Sequence, residues 1–406
     1  MHDVAVIGAG PAGMMAAICA SSRSLQTILI EKNRQPGRKL LLTGKGRCNL
    51  TNFCTVEEML AQVITNPKFL TNCFYRFSSR DTFIFFTELG IDLKVERGNR
   101  VFPVSDKARE IVDSLHRQIR ESGIEIRKGK VKSIRRIYPD FTLTLENNST
   151  MQVKNIILAT GGKSYSATGS DGSGYHLAGE LGHNIITPKP SLVPLRSDNP
   201  WLQKLADLKL KNIAITIKTK DNKKIYSDFG ELAFLTNGLA GPIILTASSF
   251  FRSVTGLELS IDLKPALNNS RLKLRLQRDI SQHPRKKIGN LLQVWLPRKL
   301  IPVILHISHI PADSVSASLT GFQRVCIVNA LKEFKFHLTG FGSFQEALIT
   351  SGGIDVQEIE PYTMESLIVP GLYFAGEILD VDALTGGYNL QIAWSTGHAA
   401  GVSCCC

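Results

Sequence analysis

The first thirty residues combine two short apolar runs with a glycine-rich turn. Asp3-Val4-Ala5-Val6-Ile7 is an apolar run typical of a buried parallel strand, and Gly8-Ala9-Gly10-Pro11-Ala12-Gly13 follows it directly. Residues 14–22, rich in Ala and Met, predict a helix, and Thr27-Ile28-Leu29-Ile30 predicts a second strand that ends at Glu31. The pattern therefore predicts one βαβ unit of about 30 residues.

The next hundred residues are polar at first and then alternate. Residues 37–52 predict an ordered polar loop and residues 55–90 a mostly helical stretch. Asp106 is predicted to cap a helix that runs to about Ser122. Short alternating runs separated by turn residues then predict a small β-meander; these runs cover residues 124–127, 131–138, 141–146 and 151–153, and a separate buried strand is predicted over 155–158.

The pattern changes near Pro188-Lys189-Pro190. Strand-like and basic stretches then fill the chain to about residue 345, with a predicted helical subregion at about 268–330. From Thr350 the neutral, glycine-rich pattern resumes and ends in a helix of small residues over 392–401. The interpretation is a discontinuous first domain of residues 1–190 and 346–406, interrupted by an inserted β-rich domain of residues 191–345.

Charge divides the chain in the same way. The protein has 406 residues and a net charge of +13. Residues 196–340 hold 22 Lys and Arg against 10 Asp and Glu, while the rest of the chain is nearly neutral. A basic domain attracts nucleic acid, an anionic membrane or an acidic substrate, but a solvated basic surface explains the same charge. The insert lacks the basic residues interleaved with aromatic ones that are typical of RNA-binding modules.

Hydropathy and cysteine usage predict a cytoplasmic protein. No run of about 18 apolar residues suggests a transmembrane helix, and the N-terminus has no secretory signal pattern. The eight cysteines have no scaffold-like spacing, which favours a reducing compartment. The terminal Cys404-Cys405-Cys406 is interpreted as a frayed end, with metal binding or lipidation as alternatives.

The glycine-rich turn has the spacing of a dinucleotide-binding motif. In Gly8-x-Gly10-x-x-Gly13 the first glycine allows a tight turn, the second allows close approach of a pyrophosphate, and the third allows close packing of helix and strand. The helix N-terminus then presents free N–H groups to phosphate. Glu31 lies 18 residues after Gly13, where a carboxylate accepts hydrogen bonds from adenosine ribose hydroxyls. The motif does not by itself distinguish FAD from NAD.

Three other segments suit a flavin dinucleotide better than a nicotinamide one. One loop contains Gly37-Arg38-Lys39 and Gly44–Asn52 and is dense in backbone donors and cations. The turn Ala159-Thr160-Gly161-Gly162 follows a strand, and Gly376-Glu377 precedes a second helix start at Gly386-Gly387. A helix N-terminus aimed at a flavin stabilises negative charge on the reduced ring.

These segments together resemble the BaiN/YhiN-like flavoprotein family, also described as aminoacetone-oxidase-family FAD-binding enzymes. The resemblance spans essentially the whole chain; the matching segments are Gly44–Asn52, Thr160–Gly174, Gly230–Pro242, Thr350–Glu360 and Thr363–Gly387. It implies an α/β fold with a two-part, glutathione-reductase-like Rossmann domain that binds FAD, an inserted β-barrel-like domain and a small helical subdomain. The family's reactions include reduction of a steroid-type enone and amine oxidation, so the substrate does not transfer.

The resemblance also implies site residues. It places adenosine and pyrophosphate contacts at Gly8, Gly10, Ala12, Gly13, Glu31, Lys32, Arg38 and Lys39, and adenine recognition at the backbone of Val131. It places the ribityl chain and flavin ring at Gly376, Glu377, Asp380, Tyr388, Asn389, Leu390 and Gln391. The loop residues Gly44, Gly46, Arg47, Cys48 and Asn49, the turn residues Thr160 and Gly161, and Gly387 complete the candidate set. Where the family has consecutive glycines this chain has Gly44-Lys45-Gly46, so Lys45 adds bulk and charge there.

A few other residues suggest chemistry but have simpler explanations. Cys48 and Cys54 lie where disulfide-reducing flavoenzymes carry a redox pair, yet five residues separate them instead of four; ordinary thiols are the favoured interpretation. Tyr165 and Tyr175 flank a glycine-rich turn and are interpreted as turn tyrosines. The histidines show no shared ligand spacing, so no metal site is predicted.

The sequence predicts an FAD-dependent oxidoreductase that transfers hydride through flavin N5 to or from a small organic substrate. NAD(P)H is the candidate electron donor, although no separate nicotinamide domain is visible. Two alternatives stay open: an FAD-dependent nucleic-acid-modifying enzyme, suggested by the basic insert, and a non-catalytic flavin redox sensor. No residue is singled out as catalytic acid or base, and the substrate and oligomeric state stay open.

Overall fold

The structure is a computed structural model that describes residues 1–404. Of the terminal cysteines, Cys405 and Cys406 therefore lie outside the described residues. The chain forms two compact units: unit 1 is Met1–Ser191 with Ser343–Cys406, and unit 2 is Leu192–Gly342. Within residues 1–404 no helix is both long enough and apolar enough to cross a membrane.

Strands and helices alternate through unit 1 and segregate in unit 2. The strands are β1 His2–Ile7, β2 Thr27–Glu31, β3 Thr51–Asn52, β4 Val63–Thr65, β5 Leu93–Glu96, β6 Arg100–Pro103, β7 Glu125–Lys128, β8 Val131–Ile137, β9 Asp140–Leu145, β10 Thr150–Leu158, β11 Ile185–Ser191, β12 Leu195–Ser197, β13 Lys209–Lys218, β14 Lys224–Leu235, β15 Gly238–Ala240, β16 Glu258–Asp262, β17 Phe334–Phe341, β18 Ile349–Ile354, β19 Leu372–Phe374 and β20 Asp382–Ala383. The helices are α1 Pro11–Ser21, α2 Val56–Leu60, α3 Thr71–Arg76, α4 Ser79–Glu88, α5 Ala108–Glu121, α6 Ser173–Glu180, α7 Leu202–Leu205, α8 Pro242–Ser249, α9 Asn269–Gln282, α10 Ile288–Leu292, α11 Ile301–Ile307, α12 Gly321–Lys332 and α13 Tyr388–Ser403. Shorter 3-10 segments cover Leu40–Gly46, Pro67–Leu70, Ser166–Thr168, Ser316–Ser318 and Val356–Glu358.

The core of unit 1 is a parallel sheet in the order β7-β2-β1-β10, with β19 also paired to β10. β1 and β2 carry apolar residues that are buried on both faces of the sheet. This is usual for parallel sheets, because other elements cover both of their faces. The fully buried residues of β1 and α1 belong to one hydrophobic core. The carboxyl ends of these strands and the loops that follow them therefore lie at one edge of the sheet.

One strand prediction needs correction. The runs predicted separately at 151–153 and 155–158 form the single strand β10. Its first half pairs antiparallel with β9, and its second half pairs parallel with β1. The change of partner explains the break in the pattern, because the half beside β9 alternates in burial while Ile156–Leu158 is fully buried. The predicted meander is thus joined directly to the central sheet.

A second correction concerns Asp106, which does not cap α5. The N-cap residue is Lys107, and no side chain caps this helix. Asp106 instead has a left-handed backbone (φ 56°) and accepts hydrogen bonds from Lys94 and Arg47. Two cations hold the Asp106 carboxylate, which lowers its pKa. The side chain therefore stabilises the loop around Arg47 and not the helix.

The first and last helices pack in close contact. A Cβ atom on Gly397 would lie 2.4 Å from the backbone oxygen of Ala12, and one on Gly401 would lie 2.5 Å from that of Ala16. Glycine at both positions lets α13 approach the backbone of α1. This contact joins the C-terminal segment of the chain to the N-terminal βαβ unit.

A two-stranded antiparallel ribbon of β11 and β18 carries both connections from unit 1 to unit 2. Ser191, the last residue of the first segment of unit 1, pairs with Ile349 of the second segment. The chain thus leaves and re-enters unit 1 at the same end of one ribbon.

Unit 2 consists of a closed barrel and a helical part. The six barrel strands follow the order β12-β15-β14-β13-β16-β17. Alternating residues of β13 and β17 point inward, as barrel strands require. Helices α9 to α12 contribute Leu272, Leu276, Ile304 and other apolar residues to the same core. The predicted fold class, a Rossmann-type domain with an inserted barrel and a helical subdomain, is confirmed.

Candidate cofactor-binding site

Unit 1 contains a large cavity at the carboxyl edge of its parallel sheet. The space within it, together with the solvent at its open mouth, measures about 1310 Å³. The turns after β1, β2, β10 and β19 line it, together with the loop at 37–43 and the first turns of α1 and α13. In open α/β sheets ligands bind at this edge, where loops from several strands converge.

The three glycines of the first turn have three different environments. Gly8 has φ +101°, and a Cβ there would lie 2.5 Å from the backbone oxygen of Ala159. A Cβ on Gly13 would lie 1.8 Å from the backbone oxygen of Gly8, whereas a Cβ on Gly10 would meet nothing within 4 Å. Gly8 and Gly13 are therefore required by the packing of the protein itself. Gly10 borders open space in the cavity, which leaves its backbone accessible to a ligand.

The N-terminus of α1 is suited to an anionic group. The helix begins at Pro11, has no side-chain cap and carries no acidic residue in its first turn. Its unpaired N–H groups and the positive end of its dipole remain available to a ligand. Thr160 also lines the cavity, and its hydroxyl is buried without a hydrogen-bond partner among the described residues. Both features fit a phosphate-containing cofactor.

Glu31 is held rigidly at the end of β2. Its side chain accepts a hydrogen bond from the backbone N–H of Ala9 at 2.8 Å, and another from that of Asn33 at 2.7 Å. The side chain of Asn33 also donates to it, at 2.8 Å. The carboxylate is 8% exposed yet lies on the cavity wall. Its spare acceptor capacity thus faces the cavity in a fixed orientation.

Lys39, Ser164 and Glu377 form a closed hydrogen-bonded group on the wall of the same cavity. The ammonium of Lys39 lies 2.6 Å from the Glu377 carboxylate and donates to the Ser164 hydroxyl at 2.6 Å. The Ser164 hydroxyl donates in turn to the Glu377 carboxylate at 2.7 Å. The backbone N–H of Thr350 also donates to the Glu377 carboxylate, at 2.8 Å. Both charged side chains are about one-fifth exposed. The group joins the loop after β2 to the turns after β10 and β19.

The cavity brings together fourteen of the candidate residues named in the sequence analysis. They come from six separate segments of the chain and are Gly8, Gly10, Ala12, Glu31, Lys32, Arg38, Lys39, Val131, Thr160, Gly161, Gly376, Glu377, Asn389 and Leu390. Lys32 also forms an ion pair with Asp171 at 2.8 Å.

The candidates of the loop at 44–49 lie outside the cavity lining. Arg47 stacks on Phe102 and pairs with Glu96 and Asp106. Gly44 has φ +56°, and a Cβ there would lie 2.8 Å from the backbone nitrogen of Asn49. Gly46, Cys48 and Asn49 likewise lie outside the lining, and Lys45 adopts a left-handed backbone with φ +59°. This loop is held by contacts within the protein.

Five further candidates support the site without lining it. Gln391 accepts hydrogen bonds from Thr51 and Thr82 and donates to the backbone oxygen of Phe77. A Cβ on Gly387 would lie 2.4 Å from the backbone of Thr51, which fixes the start of α13 against β3. The remaining three, outside the lining as well, are Gly13, Asp380 and Tyr388.

Asp380 and Asp382 form a buried acidic pair beside Val381, which lines the cavity. Burial raises the pKa of both carboxyls, and the proximity of Asp382 raises that of Asp380 further. Asn66 donates to the Asp380 carboxylate at 3.2 Å, and Ser191 donates to that of Asp382 at 3.2 Å. Through these contacts Asn66, which follows β4, and Ser191, which ends β11, hold the segment that contains Asp380 and Asp382 in place.

The cysteines and tyrosines considered earlier are not activated. Burial raises the pKa of the Cys48 thiol to about 12 and that of Cys54 to about 11, so neither forms a thiolate readily. Burial also raises the pKa of the Tyr175 phenol. Tyr165 has a left-handed backbone at the start of a 3-10 turn.

Several residues of the site are not among those predicted from the sequence. Asn33, Ser170 and Ile349 line the cavity, and Ser164 and Thr350 hold Glu377. Ser164 and Thr350 lie 213 and 27 positions from Glu377 in sequence. No spacing rule links such residues; a signal was present only for Ser164, which follows the glycine turn at 161–162.

Known proteins resemble this chain over nearly its whole length. Residues 2–403 match the family described as HI0933-like protein Rossmann domain. The chain is 32% identical over 98% of its length to the ribosomal RNA dihydrouridine synthase of Escherichia coli (strain K12), covering 96% of that protein. It is 31% identical over 99% of its length to the 3-dehydro-bile acid delta(4,6)-reductase of Clostridium scindens, covering 98% of it.

Among solved structures, the chain resembles 3-ketosteroid-delta4-(5alpha)-dehydrogenase from Rhodococcus jostii RHA1. The TM-score is 0.53 at 14% identity, covering 99% of this chain and 96% of that one, which is a likeness of fold. The resemblance found from the sequence is confirmed by the family match across the chain. This protein belongs to the HI0933-like, BaiN/YhiN-like family of FAD-binding Rossmann proteins and is an FAD-dependent oxidoreductase.

Proposed function

We propose that this chain catalyses the reduction of a carbon–carbon double bond conjugated with a carbonyl group. The supporting observation is that two relatives of nearly equal identity are named for such reactions on very different molecules. A delta(4,6)-reductase of a 3-oxo bile acid and a dihydrouridine synthase both saturate a C=C bond that is conjugated with C=O. The substrates of the two relatives therefore share the reacting group, a C=C bond conjugated with C=O, although they differ in size.

Such a reaction adds a hydride to the β-carbon and a proton to the α-carbon, so that two electrons are consumed. When bound and reduced, FAD would supply the hydride, and NAD(P)H is the donor that we propose for its reduction. The protein's own contribution is to fix the cofactor's position and to keep charges at defined places around it.

The cavity residues are assigned to the cofactor as follows. Gly10 and the N-terminus of α1 take the pyrophosphate, because backbone N–H groups and open space lie there. Glu31 accepts from the adenosine ribose hydroxyls. Lys39 and Glu377, fixed by their mutual ion pair, hold the polar chain between phosphate and ring. The other cavity-lining candidates, from Val131 to Leu390, complete the contact surface.

Reoxidation of the reduced flavoprotein tests the proposal. The purified protein is photoreduced anaerobically and mixed with 4-androstene-3,17-dione or with an RNA stem–loop whose loop contains uridine. Flavin absorbance at its visible maximum is then followed. We expect at least one of the two to reoxidise the flavin faster than its saturated counterpart, the 4,5-dihydro steroid or a loop containing dihydrouridine. Equal rates with the unsaturated and saturated compounds would refute the proposal.

The electron donor is tested separately. Anaerobic mixing of the oxidised holoprotein with NADH or NADPH should bleach the flavin, at a rate that rises with donor concentration. No bleaching by either donor would remove NAD(P)H from the proposal but leave the reduction of the double bond standing. It would also favour the redox sensor if no substrate reoxidised the photoreduced protein.

A further inference from the structure

The helical part of unit 2 carries an unusual concentration of positive charge. Residues 269–299 hold nine Lys and Arg against a single acidic residue, Asp279. All nine basic side chains belong to exposed residues, and we refer to them as the basic helical surface: Arg271, Lys273, Arg275, Arg278, Arg285, Lys286, Lys287, Arg298 and Lys299. About a fifth of unit 2 by length thus accounts for two-thirds of its net charge of +12.

The orientation of α9 follows from its burial pattern. Leu272, Leu276 and Ile280 recur every four residues and are buried in the core of unit 2. The opposite face therefore presents Arg271 and Arg278, which are seven residues or about 10 Å apart along the axis. The loop at 283–287 continues this charge beyond the C-terminus of the helix.

The one acidic residue of this segment leaves most of its positive charge unbalanced. Asp279 accepts a hydrogen bond from the indole N–H of Trp295 at 3.0 Å, and its contact with Arg278 is long, at 3.4 Å. Arg275 stacks on Trp295 with 5.3 Å between the guanidinium carbon and the ring centroid. Uncompensated charge of this density destabilises a surface through repulsion unless an anionic partner screens it.

We propose that the basic helical surface binds the phosphate backbone of structured RNA. Five of its nine cations are arginines, whose planar guanidinium groups bind phosphate in a bidentate manner. A small acidic substrate would contact few of them. A membrane-bound helix requires a free apolar face, but the apolar face of α9 is already buried, and Leu274 and Val294 are isolated exposed aliphatics.

This inference rests on the proposed function, because RNA contains a substrate for the proposed reduction. The C5=C6 bond of uracil is conjugated with the C4 carbonyl, so a uridine within RNA contains the reacting group of the proposed reduction. Binding through phosphates then supplies affinity without reading sequence. The surface acts through binding alone and contributes nothing to the chemistry.

Fluorescence anisotropy of the FAD-loaded protein with a labelled RNA stem–loop tests the surface. Two triple variants each remove three positive charges from it: Arg271→Gln with Lys273→Gln and Arg278→Gln on α9, and Arg285→Gln with Lys286→Gln and Lys287→Gln in the loop. The matched control removes three exposed charges from the hairpin between β13 and β14: Lys220→Gln, Lys223→Gln and Lys224→Gln. Vesicles containing anionic phosphatidylserine serve as a second probe.

We expect each surface variant to weaken RNA binding at least tenfold in 0.1 M salt, and the control less than twofold. The slope of log K against log salt concentration should fall by about 2 to 3 in the surface variants, since each phosphate contact contributes roughly 0.7 to 0.9. Flavin content and reduction of a small enone should stay at wild-type levels in all three. That pattern supports RNA binding by the basic helical surface even if no base of the RNA is reduced. In that case only the reduction of uracil is refuted.

Three results would overturn the inference. The first is RNA affinity in both surface variants equal to that of the wild type. The second is an equal loss in the surface variants and in the hairpin control, which would assign the effect to net charge and not to location. The third is binding to the vesicles without binding to RNA, which would identify an anionic membrane as the partner.

Discussion

The cavity of unit 1 and the basic helical surface of unit 2 differ in what a change to a single residue does to them. Around the cavity of unit 1, a Cβ atom on Gly8, Gly13 or Gly376 would lie less than 3 Å from a neighbouring atom. No larger residue therefore fits at these positions unless its surroundings shift. Unit 1 is also almost neutral, since the chain outside 192–342 holds 26 Lys and Arg against 25 Asp and Glu. The basic helical surface of unit 2 instead consists of exposed side chains of like charge. If one of these cations is lost, the others can still bind an anionic partner.

The comparison separates two ways of recognising phosphate. A cavity that encloses a dinucleotide uses backbone N–H groups, which only a particular chain path can aim correctly. An exposed surface uses long, mobile side chains, and its strength depends on how many there are. We therefore expect few but severe effects in unit 1, and small additive effects in unit 2.

The strongest test of this contrast compares two glycines of the same turn. Gly13→Ala would place a Cβ 1.8 Å from the backbone oxygen of Gly8, so we expect loss of both folding stability and FAD. Gly10→Ala meets no protein atom within 4 Å and has φ −81°, so the apoprotein should melt as the wild type does but lose most of its FAD affinity. Thermal melting with and without FAD checks both. Normal FAD binding by Gly10→Ala would show that the cofactor does not approach this turn.

A smaller effect is expected at Glu31. Glu31→Ala removes a charge-assisted acceptor from the ribose and should weaken FAD binding by about 1–3 kcal/mol. It also leaves the N–H groups of Ala9 and Asn33 without their partner, so Glu31→Gln is the control that retains an acceptor. Calorimetric titration of the apoproteins with FAD measures both variants. Unchanged affinity in Glu31→Ala would contradict the ribose assignment.

A third prediction concerns the pH dependence of stability, which we expect to arise in part from His183 of unit 1. Its ring lies between Glu358 and Ser366, and burial lowers its pKa, although Glu358 opposes the shift. The unfolded chain thus binds a proton at a pH where the folded chain does not. Stability is complete above the unfolded pKa of about 6.5 and is lost as the pH falls toward the folded value.

The slope from this single proton is at most about 1.4 kcal/mol per pH unit. Chemical denaturation between pH 5 and 8 measures it, and His183→Gln should flatten the curve. A slope below pH 6.5 that is identical in His183→Gln would assign the effect to other groups.

The smallest expected effect lies in unit 2. Thr320 caps α12 by accepting from the N–H of Gln323, whose side chain accepts in return from the N–H of Thr320. Thr320→Ala should therefore cost about 1 kcal/mol of stability. Thr320→Ser retains the cap and is the control. FAD affinity should be unchanged in both, because the substitution lies outside unit 1; a loss of FAD in Thr320→Ala would show that the two units are energetically coupled.

Sequence patterns identified the elements of unit 1 whose structure depends on local rules. The βαβ unit, its glycine turn and Glu31 follow from apolar periodicity and fixed spacing, and the family resemblance and fold class are confirmed. The group formed by Lys39, Ser164 and Glu377 depends instead on three segments that meet only in the folded chain. Asp106 shows the converse case: its local signal predicted a helix cap, but two nearby cations compete for the same carboxylate.

The ribbon of β11 and β18 has a consequence for the history of the protein. Because Ser191 pairs with Ile349, the whole of unit 2 occupies the place of a hairpin loop. A loop at that place can be lengthened or exchanged without altering the register of the strands beneath it, and the entropic cost grows only slowly with its length. An exchange of this one insertion during evolution would thus leave the nucleotide-binding sheet as it is.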